Sequence, residues 1–121
     1  MRAGMMLPGI LIVAMLNACT ASAASGISPQ QAAQHIGETA TVCGTIASSH
    51  YAVDSDGQPT FINLGKPYPA PIFTIVIFGD YRGKFSTPPD SWTGRLCATG
   101  RISEYHGEPE MKVIDPSQVS H

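Results

Sequence analysis

Three cysteines carry the most definite chemistry in this sequence. Cys43 and Cys97 stand far apart, with no CxxC pattern to poise a thiol for exchange, so a structural cross-link suits them best. Cys19 sits in a run of small residues near the start, and its fate depends on that run. His50, Glu104, His106, Glu108 and Glu110 have the donors of a nitrogen/oxygen metal site if two loops adjoin, with solvated loop residues as the simpler reading. Asp54-Ser55-Asp56-Gly57 begins like a calcium loop, but its glycine comes early and no bidentate glutamate follows, so it reads as a turn. The remaining acids are scattered singly, without the carboxylate cluster of a nuclease, and no G-x-S-x-G motif is present. No catalytic residue, cofactor or metal is expected.

The first residues decide how many cysteines remain. Met1–Gly4, with Arg2, precedes the apolar Met5–Leu16, which is too short to span a bilayer as a helix. Small residues follow, completing the three-part pattern of an export signal. Two readings stand. Cleavage at Ala21-Ser22-Ala23 removes residues 1–23 and leaves a single domain, 24–121. Alternatively, Leu16-Asn17-Ala18-Cys19 resembles a lipobox, which removes 1–18 and makes Cys19 a lipidated first residue. Either way Cys43 and Cys97 are left as a pair in an oxidising compartment, where a disulfide is expected. The chain is thus expected in the periplasm or outside the cell, touching membrane only through a lipid on Cys19.

The elements that must position these residues are short and β-rich. Twelve glycines and ten prolines fall between β-branched and aromatic runs, the pattern of an all-β domain with tight turns. Ser28-Pro29-Gln30-Gln31 opens a short helix with a capping box, Gly37 ends it, and Ile27 and Ile36 are its expected docking residues. Five strands follow: Ala40–Ser49, Thr60–Leu64, Ile72–Phe78, Arg95–Tyr105 and Glu110–Ile114. Gly44 is expected to mark a bulge or a sharp bend in the first strand, Gly79–Gly94 reads as irregular, and His106-Gly107-Glu108-Pro109 as a turn. Alternation puts Val42 and Ile46 on one face of the first strand, and Leu96, Ala98 and Ile102 on one face of the fourth. Gly44-Thr45-Ile46 and Gly100-Arg101-Ile102 echo one another, as two bent strands closing a five-stranded Greek-key barrel would. By the same parity Cys43 and Cys97 face outward on those strands, where a cross-strand bridge can form.

Several segments resemble a family of small exported bacterial OB-fold proteins described as nucleic-acid-binding-like. The matching stretches are 37–44, 57–64, Pro67-Tyr68-Pro69, 73–77, 97–102 and Gly107-Glu108-Pro109-Glu110. The resemblance implies an all-β, five-stranded OB-type barrel with a short N-terminal helix. OB domains bind across the second and third strands, between the first hairpin loop and the loop joining strands four and five. On this chain that face offers Tyr51, Phe61, Asn63, Tyr68, Arg101, Tyr105, His106 and Lys112. Aromatic side chains for stacking and a few cations for phosphates suit single-stranded nucleic acid.

Charge points the other way. The chain has 7 Lys+Arg against 9 Asp+Glu, a formal net charge of −2 that becomes −3 when Arg2 leaves with the leader. The basic residues are dispersed, and the stripe that usually marks a polyanion binder is missing. The expectation is therefore a non-catalytic exported module that binds single-stranded nucleic acid or, alternatively, an envelope protein or glycan in a structural role.

Overall fold

Alternating apolar and polar residues form six strands: β1 Thr39–Tyr51, β2 Thr60–Leu64, β3 Phe73–Ile77, β4 Arg95–Tyr105, β5 Glu108–Lys112 and β6 Val119–Ser120. The computed structural model describes residues 26–121; the leader, the Ala21-Ser22-Ala23 site and Cys19 lie outside them. The strands run in the order β1-β2-β3-β5-β4, and β1 also pairs with β4, so the sheet closes on itself. β3 and β5 are parallel and the other neighbours antiparallel. This is the five-stranded OB-type barrel. Its interior is filled by Val42, Ile62, Leu64, Phe73, Ile75, Ile77, Leu96, Ala98, Ile102, Met111 and Val113.

β1 makes closure possible by serving two partners. It pairs with β4 through Thr45 and with β2 from Ile46 onward. The register slips between Ile46 and Ser48, so the bulge falls at the change of partner and not at Gly44. Gly44 does different work. Residues Pro29–His35 form a 3-10 helix with the Ser28/Gln31 capping box, and a Cβ on Gly44 would lie 2.5 Å from Pro29 Cγ. The glycine is the notch into which that helix packs. Ala32, fully buried, is the helix's core contact and Ile27 packs against the core beside it, whereas Ile36 stays 37% exposed and is not part of that packing.

Cys43 and Cys97 face each other in the β1–β4 ladder and form a disulfide. They lie on the side away from Val42, as parity requires, yet Cys43 is only 5% exposed. Both ends of the described chain cover them. Ile27 bridges in parallel to Val42, and a Cβ on Gly26 would sit 2.9 Å from Cys43 Sγ. At the other end β6, which follows the capped turn at Asp115, pairs Ser120 with Cys97.

The stretch after β3 is more ordered than its composition implies. It holds a single helical turn, α1 Gly79–Arg82, and a 3-10 turn, Pro89–Ser91. Arg82 ties this connection to the barrel end. It donates to Thr60 Oγ1 at 2.8 Å and to Asp90 at 2.6 Å, with its guanidinium 3.7 Å above the Tyr51 ring. Trp92 is wedged edge-on between Phe85 and the terminal His121, and donates to Thr87 Oγ1. The β4–β5 turn is tighter than the four residues expected. His106 and Gly107, with φ of 52° and 82°, make a two-residue hairpin. Glu108 and Pro109 therefore belong to β5. Pro109 is tolerated because it pairs with Glu104 before β5 meets β3 at Glu110.

Free-thiol labelling of the purified domain should find no reactive cysteine until reductant is added, and a Cys43→Ala, Cys97→Ala variant should lose about 4 kcal/mol of stability in the loop-entropy model. Removing the guanidinium in Arg82→Ala leaves the fully buried Thr60 hydroxyl without its donor and should cost about 1–3 kcal/mol by chemical denaturation. The Arg82 hydrogen bond also holds the Asp90 carboxyl below its usual pKa. Because the folded-state value is the lower one, this contribution is complete above the unfolded pKa and is lost as pH falls through the folded one. Wild type should thus lose stability more steeply than Asp90→Asn in the acid range.

Candidate functional site

The outward residues of the barrel line up across the strands. Register puts Ser48 of β1, Asn63 of β2, Thr74 of β3, Glu110 of β5 and Ser103 of β4 in one row. A second row runs His50, Phe61, Val76 and Lys112. Both follow from period-two alternation: Ile62, Leu64 and Ile75 point in, so their neighbours point out. Asn63 is 4% exposed and can sit there because its amide is paired on both sides. It donates to Ser48 Oγ at 2.9 Å and accepts from Thr74 Oγ1 at 2.9 Å. Ser48 Oγ also accepts from the Tyr68 backbone N–H at 3.2 Å, which ties the β2–β3 loop to the row.

Three connections wall this row into a groove of about 690 Å³. The β1–β2 turn supplies Ala52 and Ser55, the β2–β3 loop Tyr68, Pro69 and Pro71, and the β4–β5 hairpin Tyr105, Glu108 and Pro109. Phe61, Asn63 and Thr74 are the floor. Tyr68 and Tyr105 are 78% and 64% exposed. A smaller hollow adjoins the groove, sharing Phe61, Tyr105 and Glu110 and adding Val76, Phe78 and Lys112.

The electrostatics of the groove are one-sided. Glu108 and Glu110 line it, and no lysine or arginine is among its lining residues. Partial burial pushes the Glu110 carboxyl above its usual pKa, an effect that Lys112 partly offsets. The cations are engaged elsewhere or lie off the groove. Lys112 Nζ stands 6.0 Å from the Phe78 ring, Arg82 is held at Tyr51, Thr60 and Asp90, and Arg101 donates to the Gly37 carbonyl at 2.9 Å. Among the described residues no three His, Cys, Asp or Glu side chains are placed to hold a metal; of the loop donors, His50, Glu108 and Glu110 line the groove, and Glu104 and His106 do not.

Of the residues expected on the binding face, Phe61, Asn63, Tyr68 and Tyr105 meet in the groove, and Lys112 lines the hollow beside it. Tyr51 does not; the strand reaches it only where Arg82 covers its ring. Arg101 does not, because it lies in the half of β4 that pairs with the start of β1. His106 sits at the hairpin tip, stacked on Tyr105 at 4.1 Å and outside the lining. Glu110, expected only as a loop donor, has the same parity as Lys112 and lines both the groove and the hollow. Ser48 was hidden by the bulge, which resets parity along β1.

No family model and no curated protein matches this chain. Among solved structures, it is similar to OBody AM1L10 bound to hen egg-white lysozyme, at 14% identity and TM-score 0.43, over 72% of this chain and 80% of that one. OBody AM2EP06 bound to hen egg-white lysozyme aligns at 16% identity and TM-score 0.46, over 77% and 88%. A putative aspartyl-tRNA synthetase from Leishmania major Friedlin aligns at 12% identity and TM-score 0.48, over 88% of this chain but 22% of that one.

The groove's residues separate into those that build it and those that only border it. Asn63→Ala strips two side-chain hydrogen bonds from a buried site and should cost about 1–3 kcal/mol. Tyr68→Ala, on an exposed ring, should stay within about 0.5 kcal/mol of wild type. Urea titration of the two variants checks both values.

Proposed function

We propose that this chain is an exported, non-catalytic binding module whose groove holds an extended envelope ligand, a protein or a glycan, in place of a nucleic acid. One observation carries the reading: two carboxylates and no lysine or arginine line a groove flanked by two exposed tyrosines. Single strands are bound by stacking together with cations along the phosphates. Here the stacking surface is present and the cations are not. The disulfide and the export-like leader support an oxidising compartment. The motifs shared with small exported OB-fold proteins support a binding role.

A nucleic acid retains one favourable feature, the hollow in which Lys112 stands beside Phe61, Phe78 and Tyr105. A single lysine next to Glu110 supplies little counter-charge to a strand bearing one phosphate per nucleotide.

Fluorescence anisotropy of a labelled oligothymidine, at low and at moderate salt, tests the choice. The expected result is no binding under either condition. Tight binding that weakens steeply with salt and is lost in Lys112→Ala would overturn the proposal. Trp92 is unsuited as the reporter, since it packs against Phe85 and His121 outside the groove.

A further inference from the structure

We infer that the groove's occupant is an extended polypeptide segment bearing a lysine or arginine, its cation held at Glu108 and Glu110 and its flanking residues between Tyr68 and Tyr105. This inference rests on the binding-module reading and names the partner's chemistry.

The two glutamates are alternate residues of β5, so their side chains leave the strand on one face, about 7 Å apart along it. Both line the groove. Glu108 lies opposite Tyr105, and Glu110 opposite Thr74 on one side and Ser103 on the other. Among the described residues neither carboxylate takes part in an ion pair; the two pairs present are His35–Glu38 and Arg82–Asp90. A partly buried carboxylate without a counter-charge is costly, and an incoming cation offsets that cost. Burial makes Glu110 retain its proton more readily than usual, and Lys112 offsets this only in part. An incoming cation adds the compensation that an uncharged ligand does not.

The rest of the groove suits the remainder of such a segment. Tyrosine rings attract a guanidinium or ammonium through their faces, and the methylene stem of either side chain packs on apolar surface such as Phe61. Pro69, Pro71 and Pro109 in the walls have no N–H to donate and present ring surface to an occupant. It is held by ring and proline surfaces, as grooves that take extended, proline-rich segments do. The floor gives sugar hydroxyls few partners, because Asn63, Ser48 and Thr74 bond to one another; among the described residues the Ser49 hydroxyl is the lining group left without a partner.

The test is a positional-scanning array of short capped peptides probed with the labelled, oxidised domain. A chito-oligosaccharide serves as the glycan arm, and the best peptides are then titrated in solution. Bound peptides should be enriched in lysine or arginine. Their affinity should fall about tenfold in a Glu108→Gln, Glu110→Gln variant with an unchanged denaturation midpoint, and should be lost in Tyr68→Ala, Tyr105→Ala. Binding without that enrichment, or binding indifferent to the glutamine substitutions, overturns the cationic inference. If uncharged peptides or the oligosaccharide bind and are lost with the tyrosines, the groove reading stands and this inference fails. If no peptide or sugar binding depends on the tyrosines, both fail.

Discussion

Closure of the barrel by β1 is the constraint on which the other features depend. One strand must satisfy β4 with its first half and β2 with its second, and the slip beside Ala47 marks where it turns from one to the other. Without the β1–β4 ladder the sheet would have two open edges, with unpaired backbone donors and acceptors along each. The disulfide sits in that ladder and holds its two strands in register. The inward row from Val42 to Val113 is buried only because the sheet has closed, and the outward row becomes a continuous floor for the same reason.

That floor shows how a polar surface can be kept in shape without a ligand. Ser48, Asn63 and Thr74 satisfy one another, and the row reaches up to the backbone of Tyr68. Such a network costs little to bury because its members are paired. It also leaves few polar groups for a ligand to exploit, so recognition shifts to the rim. There the aromatic rings and the carboxylates of β5 have unspent bonding capacity, and within the lining the Ser49 hydroxyl is also left without a partner.

Much of this was legible in the sequence, and the failures have physical causes. Thr60–Leu64 and Arg95–Tyr105 were readable to the residue because each is bounded by turn formers and alternates cleanly. The cysteines were readable from parity. The capping box at Ser28 was readable from side chains that bond within three residues. What escaped depends on contacts distant in sequence. Nothing local to Arg82 announces that it will lie over Tyr51, and Gly44 cannot disclose that Pro29 needs its missing side chain. β6 is too short to carry a pattern. The site was half legible: alternation identified the faces of Phe61, Asn63 and Lys112. Tyr51 was misplaced because the bulge turns it to the side of Thr60, opposite to His50 and Phe61, and Arg101 because parity says which side a residue faces, not how far along a curved strand the groove extends.

Both ends of the described segment, residues 26–121, converge on the disulfide. Gly26 lies against Cys43 and Ser120 beside Cys97, while Tyr105 closes the far end of β4. Polypeptide joined at either end therefore departs from a seam remote from the groove. A tether there would act as a stalk, presenting the mouth of the barrel outward and leaving it unobstructed. It also means that new termini could be opened in a surface loop and the old ones joined across the seam, with every strand pairing left in place.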